Sequence, residues 1–193
     1  MQYLLTPYAK AIEPWAWWEG AFTEQELDWL QDKAKRSEQN AQVGRGGVGV
    51  VDQDIRRSQV SWLNNTADTK WVFDKLAEVA SKINAQHFRF DLVGFGEPLQ
   101  LTNYDQSENG MYGWHQDYGN GISRKLSMSV QLTDPSEYEG GNLQVMTSST
   151  PQNIRKQRGL IALFPSYIVH QVTPVTQGNR QSLVAWVSGP AFK

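Results

Sequence analysis

Leu126-Ser127-Met128-Ser129-Val130-Gln131-Leu132 alternates a large apolar residue with a smaller polar one along its whole length. Successive side chains of a β-strand point to opposite faces, so the stretch predicts a strand with one apolar and one polar face. The same period runs through its neighbours. Phe88, Phe90 and Leu92 alternate with Arg89 and Asp91, and Leu99 and Leu101 with Gln100, Thr102 and Tyr104. Further short strands are expected at 142–147, 159–164, 170–173 and 181–188, separated by Gly, Pro, Asn and Asp. The polar face is mostly small and uncharged, which suits the mouth of a barrel that holds a polar ligand.

Ahead of these strands the period is helical. Thr23 and Glu26 form a capping box, Phe22 is placed as its staple residue, and Leu27, Leu30 and Ala34 follow at helical spacing, predicting a helix over 24–36. Val72, Leu76, Val79 and Ile83 define a second helix over about 67–84, with Asp68 near its positive end. Between them, Gly44-Arg45-Gly46-Gly47-Val48-Gly49 has neither the Gly-Lys-Ser/Thr ending nor the following helix of a phosphate loop, and reads as a mobile loop. Residues 57–63 read as a strand, and the aromatic 14–22 as a short strand or loop on the domain body. Two helices followed by seven or eight short strands predict an α+β, mainly β chain. Its architecture would be a double-stranded β-helix (jelly roll) with the N-terminal helices packed on one sheet. One domain is expected, with a helical preface over about 1–87 and the jelly-roll core over about 88–190.

Composition narrows the function. The 193 residues carry a formal charge of −2, which gives no electrostatic reason to expect nucleic acid or an anionic membrane surface. Cysteine is absent, so disulfide and thiolate chemistry are excluded and a reducing compartment is suited. The N-terminal Met1–Tyr8 stretch lacks the basic and apolar regions of a secretory leader, and no apolar run approaches the ~20 residues of a membrane span. The cytoplasm is the expected location. Eight tryptophans point mainly to packing.

The residues that carry chemistry are few. On a strand, His115 and Asp117 would face the same way, and a second imidazole, His170, would complete a two-histidine, one-carboxylate set of the kind that leaves positions open on iron. Alone, the His-x-Asp triplet is a weak signal, and a hydrogen-bonded histidine explains His115 equally well. Ten residues after His170 comes Arg180, with Ser182 on the same strand face: a guanidinium and a hydroxyl converging where one carboxylate could sit. An internal salt bridge is the competing explanation of Arg180. His87, between a helix end and a strand, reads as structural.

His115-Gln116-Asp117, His170 and Arg180-Gln181-Ser182 together resemble the Fe(II)/2-oxoglutarate-dependent oxygenases, specifically their prolyl 4-hydroxylase-like branch. The resemblance covers about residues 97–190. It extends to Tyr104, eleven residues before the triplet, to Gly140-Gly141-Asn142-Leu143, to Leu163–Ser166 and Val169–Val172, and to Trp186, six after the arginine. Residues 17–22 and 57–63 are similar to the branch's helical preface. The resemblance implies Fe(II) held by His115, Asp117 and His170, with Arg180 completing the catalytic set. It implies 2-oxoglutarate bound through Arg180, Ser182, Tyr104 and Gln131, with O2 as oxidant and ascorbate as an accessory reductant. It further implies a prolyl residue in a peptide or protein as substrate. Residues 44–56 read either as a lid over such a chain or as a passive loop, and Trp186 either as a substrate-side residue or as part of the barrel core. Two departures stand out: Gln131 occupies a position where several relatives carry tyrosine, and Tyr118 follows the aspartate where asparagine is common. A metal-free jelly-roll binding module and a metal-dependent isomerase are the rival classes.

Overall fold

The computed structural model describes residues 14–45, 48–119 and 123–192. The N-terminal stretch read above for a leader, and Gly46 and Gly47 of the glycine-rich segment, lie outside them. Strand β1 (Ala16–Trp18) precedes helix α1 (Glu24–Lys35), β2 (Gln39–Asn40), β3 (Val43–Arg45), β4 (Val48–Val50), β5 (Arg56–Arg57), β6 (Gln59–Leu63) and helix α2 (Lys70–Ile83). The strands β7 (Gly94–Phe95), β8 (Leu99–Asp105), β9 (Met111–His115), β10 (Arg124–Gln131), β11 (Tyr138–Gly140) and β12 (Leu143–Met146) follow. Last come β13 (Pro151–Asn153), β14 (Ile161–Pro165), β15 (Val169–Val172) and the long β16 (Val175–Ser188).

The strands form two antiparallel sheets. The larger runs β1-β14-β10-β16-β8-β6-β2, with β7 and β11 also paired to β16. The smaller runs β13-β12-β15-β9-β5. One face of the larger sheet is covered by the helices. Leu27, Leu30 and Ala34 of α1 and Val72, Leu76, Val79 and Ile83 of α2 share a buried cluster with Leu99, Leu101, Leu126, Val130, Leu183 and Val187. This is the apolar parity of the alternating stretches, and the bulk of the hydrophobic stabilisation lies there. The other parity faces the smaller sheet across a cavity lined from both sides.

Helix α1 begins as its capping box requires: Glu26 N–H donates to Thr23 Oγ1 at 3.3 Å, and Thr23 N–H to Glu26 Oε2 at 2.8 Å. A buried polar chain ties this helix to the sheet. Gln31 Nε2 donates to Gln181 Oε1, whose own amide donates to Asn103 Oδ1.

Three expectations are corrected. Residues 88–92 are not a strand. Helix α2 runs into a π-helical turn at Asn84–Phe88, closed by Arg89 in the left-handed region at φ 57°. The Asn84 side chain then brackets Phe90 like a neighbouring strand, donating to its carbonyl at 2.8 Å and accepting from its N–H at 2.9 Å. That satisfies the backbone locally, and Phe88 and Phe90 stack at 5.8 Å within the core. The glycine-rich segment is not a loop but a hairpin, with Val43 opposite Val50 and Arg45 opposite Val48. The third correction concerns Asp117, which lies beyond the end of β9.

Candidate metal and carboxylate site

His115 closes β9 and His170 lies in β15, and these two residues are direct cross-strand partners. Their rings approach to 4.1 Å between centroids. Asp117 reaches the same point from a bend rather than from a strand. Its N–H and that of Tyr118 both donate to the Ser166 carbonyl, at 2.9 and 3.0 Å, which fixes the turn. Asp117 Oδ1 stands 3.9 Å from His115 Nε2 and Oδ2 3.6 Å from His170 Nε2. One ligand atom from each of the three residues lies within 4.8 Å of the others.

The hydrogen bonds around the trio set its protonation. His115 Nδ1 lies 2.8 Å from the Gly113 carbonyl and His170 Nδ1 3.0 Å from that of Ile168. A carbonyl only accepts, so each Nδ1 carries a proton, and each Nε2 is the ring atom turned toward Asp117. Burial, then the neighbouring His170, pushes the His115 imidazole down to about 3, so it stays neutral. Burial alone would raise the Asp117 carboxyl. The two histidines and the Ser127 hydroxyl outweigh it and hold that carboxyl below its ordinary value. Ser127 Oγ donates to Asp117 Oδ2 at 2.6 Å and is itself 3.0 Å from Ser166 Oγ. Two imidazoles with their Nδ1 atoms tied to carbonyls and one oriented carboxylate, each with an outer partner, fit a divalent first-row metal with coordination positions left open.

The cavity beside the trio encloses about 220 Å³. Arg180, Ser182 and Trp186 project into it from β16, and Gln100 and Tyr104 from β8. Arg180 sits opposite Tyr104, and Ser182 opposite Thr102. Arg180 is 2% exposed, its Nε has no hydrogen-bond partner, and its Nη1 only approaches Ser182 Oγ at 3.5 Å. Among the described residues no carboxylate pairs with it, so the internal salt bridge considered above is not formed. A buried guanidinium in that state is costly unless an anion joins it.

Gln131 is placed differently from the others. It does not line the main cavity. Its amide nitrogen donates to Tyr138 Oη at 2.8 Å and to the Thr133 carbonyl at 3.3 Å. Tyr118 is exposed and packs beside Phe192.

Several lining residues escaped the sequence reading. Arg56 is buried, donates to Ser58 Oγ and Gln100 Oε1, and lies 4.5 Å over the Tyr112 ring. Tyr112 in turn stacks on His115 at 3.5 Å. Arg124 forms a two-pronged ion pair with Glu97, at 2.7 and 2.6 Å, and covers the Trp186 ring at 3.7 Å. Trp62 faces Trp186 at 6.4 Å, while Gln39, Asn40 and Gln42 line the mouth. Arg124 was visible as the charged start of the alternating β10 stretch. Arg56 and Tyr112 had no comparable signal, because β5 is two residues long.

The sequence profile of the 2OG-Fe(II) oxygenase superfamily matches residues 99–188. A PKHD-type hydroxylase of Teredinibacter turnerae is 33% identical over 170 residues, covering 84% of this chain and 73% of the relative. A PKHD-type hydroxylase of Idiomarina loihiensis is 35% identical over 147 residues, 75% of this chain; the matched part spans 64% of that relative, slightly under two thirds. Among solved structures, a prolyl hydroxylase from Trichoplax adhaerens, in complex with a hypoxia inducible factor oxygen degradation domain peptide fragment, matches with a TM-score of 0.75. That match has 16% identity and covers 91% of this chain and 84% of the other, a likeness of fold that bears out the expected jelly roll. With the His-Asp-His cluster and the fold, these relatives place the chain in the 2OG-Fe(II) oxygenase superfamily, on its prolyl 4-hydroxylase-like branch.

Proposed function

We propose that the chain is an Fe(II)- and 2-oxoglutarate-dependent dioxygenase that hydroxylates a prolyl residue in a peptide or protein. The observation that carries this reading is Arg180: fully buried, without an acid partner among the described residues, and on the wall of the cavity that also contains the metal trio. A dicarboxylate is the class of molecule that can satisfy both ends.

In this reading His115, Asp117 and His170 hold the iron, their orientation set by Gly113, Ile168 and Ser127. Arg180 and Ser182, with Tyr104 beside them, receive the distal carboxylate of 2-oxoglutarate. Iron, 2-oxoglutarate and O2 together supply the oxidising chemistry, releasing succinate and CO2 and placing one oxygen atom on the substrate. The protein binds, orients and shields. Trp62, Trp186 and the Glu97-anchored Arg124 form an aromatic and cationic wall against which a ring can lie. The amides of Gln39, Asn40 and Gln42 offer backbone-like partners at the mouth. A peptide substrate agrees with the peptide complex of the Trichoplax relative. No helix among the described residues is long and apolar enough to cross a membrane. The cytoplasm is our proposed location, and ascorbate our proposed accessory reductant.

The test is mass spectrometry of proline-containing peptides incubated with the protein, Fe(II) and 2-oxoglutarate. The expected result is a mass gain of about 16 Da on proline with matching succinate, the one-oxygen outcome of this cosubstrate chemistry. Succinate formation with the oxygen on another residue type would move the substrate class and leave the chemistry. No 2-oxoglutarate binding by the folded, metal-loaded protein would overturn the reading.

A further inference from the structure

Arg180 lines both the main cavity and a smaller cleft, whose other walls include Gln131, Tyr138, Gly141 and Lys156. We propose that the Tyr138 hydroxyl, aimed by Gln131, is a second donor to the carboxylate that Arg180 receives, with Lys156 adding a second positive charge. The inference rests on the 2-oxoglutarate reading above and assigns Tyr138 and Lys156 to its distal end.

The argument is a count of protons. The Gln131 amide nitrogen faces the Thr133 carbonyl, which only accepts, so the NH2 end of the amide points that way. The same NH2 donates to Tyr138 Oη at 2.8 Å, occupying a lone pair of the hydroxyl. The Arg180 guanidinium, whose charge acts on this hydroxyl, has donors only and can take no proton from it. Lys156, another donor, lies 4.4 Å over the Tyr138 ring and donates a hydrogen bond to the Gly140 carbonyl at 2.5 Å. Among the described residues the Tyr138 hydroxyl therefore receives one bond and makes none. A buried hydroxyl with its proton unspent, beside a guanidinium whose Nε is also unspent, marks the position of an absent acceptor.

Charge points the same way. Burial and then Arg180 hold the Lys156 amine below its usual value, and Glu139 offsets this only in part. Two cations held close together favour an anion between them. Gly141 permits the arrangement: a Cβ there would stand 3.0 Å from Arg180 Cδ and 3.2 Å from Tyr138 Cε2. Sequence alone gave no hint of Tyr138, which reaches the site from β11. Gln131 becomes a positioning residue.

The experiment measures dissociation constants of the full chain loaded with Mn(II), for 2-oxoglutarate and for oxalate, which occupies the metal but has no distal carboxylate. Tyr138→Phe should weaken 2-oxoglutarate roughly tenfold, the worth of one hydrogen bond to a charged group, and leave oxalate unchanged. Gln131→Met should weaken 2-oxoglutarate too, but should add nothing in the Tyr138→Phe background. Lys156→Gln, on a partly exposed side chain, should weaken it a few-fold at low salt and less at high salt. It carries the test if Tyr138→Phe does not fold. Unchanged 2-oxoglutarate affinity in Tyr138→Phe and Lys156→Gln, or equal loss of both probes, overturns the inference and leaves the oxygenase reading intact. Failure of the unaltered protein to bind 2-oxoglutarate overturns both.

Discussion

The two faces of the larger sheet use the same strands for opposite purposes. Toward the helices, Leu99, Leu101, Leu126, Val130 and Leu183 pack into one apolar cluster. Toward the cavity, the intervening Gln100, Ser127, Ser129, Arg180 and Ser182 present polar atoms, of which Arg180 Nε has no partner. The difference is thermodynamic as well as chemical. The outer face releases free energy when the chain folds, whereas the inner face retains a desolvation cost until a ligand offsets it. Stability and function are therefore segregated by parity along single strands.

Substitutions on each face should separate cleanly. The largest effect is expected from Asp117→Ala: turnover falls to background while circular dichroism and melting stay near those of the unaltered metal-free protein. Unfolding would show instead that the trio is part of the scaffold. On the outer face, Leu101→Ala should cost about 2–5 kcal/mol by denaturant titration, the usual penalty for a buried leucine, with little change in 2-oxoglutarate KM for the fraction that remains folded. Arg180→Met should behave in the reverse manner, raising the 2-oxoglutarate KM about 10–100-fold through the lost charge-assisted bonds. Melting of its ligand-free form should be unchanged or higher, because an unpaired buried charge has gone. A lower melting temperature would return Arg180 to a structural role. The smallest effect belongs to the helical layer. Lys75 and Thr23 outweigh burial and hold the Glu26 carboxyl below its ordinary value. Its contribution is then fully present above the ordinary carboxylate range and is lost as pH falls through the depressed value. Glu26→Gln should flatten that part of the stability–pH curve slightly.

Much of this division was legible in the sequence because alternation is a local property. The β8 and β10 stretches announced both faces, and Thr23 with Glu26 fixed the start of α1. The cluster of His115, Asp117, His170 and Arg180 was also visible as a set, although the strand assumed for Asp117 was not. The bend that carries it depends on the carbonyl of Ser166, distant in sequence. Residues 88–92 misled for a related reason: their alternation is genuine, but Asn84 supplies the hydrogen bonds that a second strand would have given. The pairing of Val43 with Val50 was missed because the glycines of this segment outweighed its valines. Tyr138 and Lys156 had no signal at all, since what makes them notable is their nearness to Arg180 in space.

His115 and His170 face each other across two strands of the smaller sheet, and Asp117 is tied to the turn that precedes β15. An ion held by all three therefore acts as a reversible cross-link between segments far apart along the chain. The helix-covered sheet needs no such clasp. Chelation should accordingly loosen the smaller sheet first, and amide exchange in β9 and β15 should report iron occupancy well before the helical layer responds.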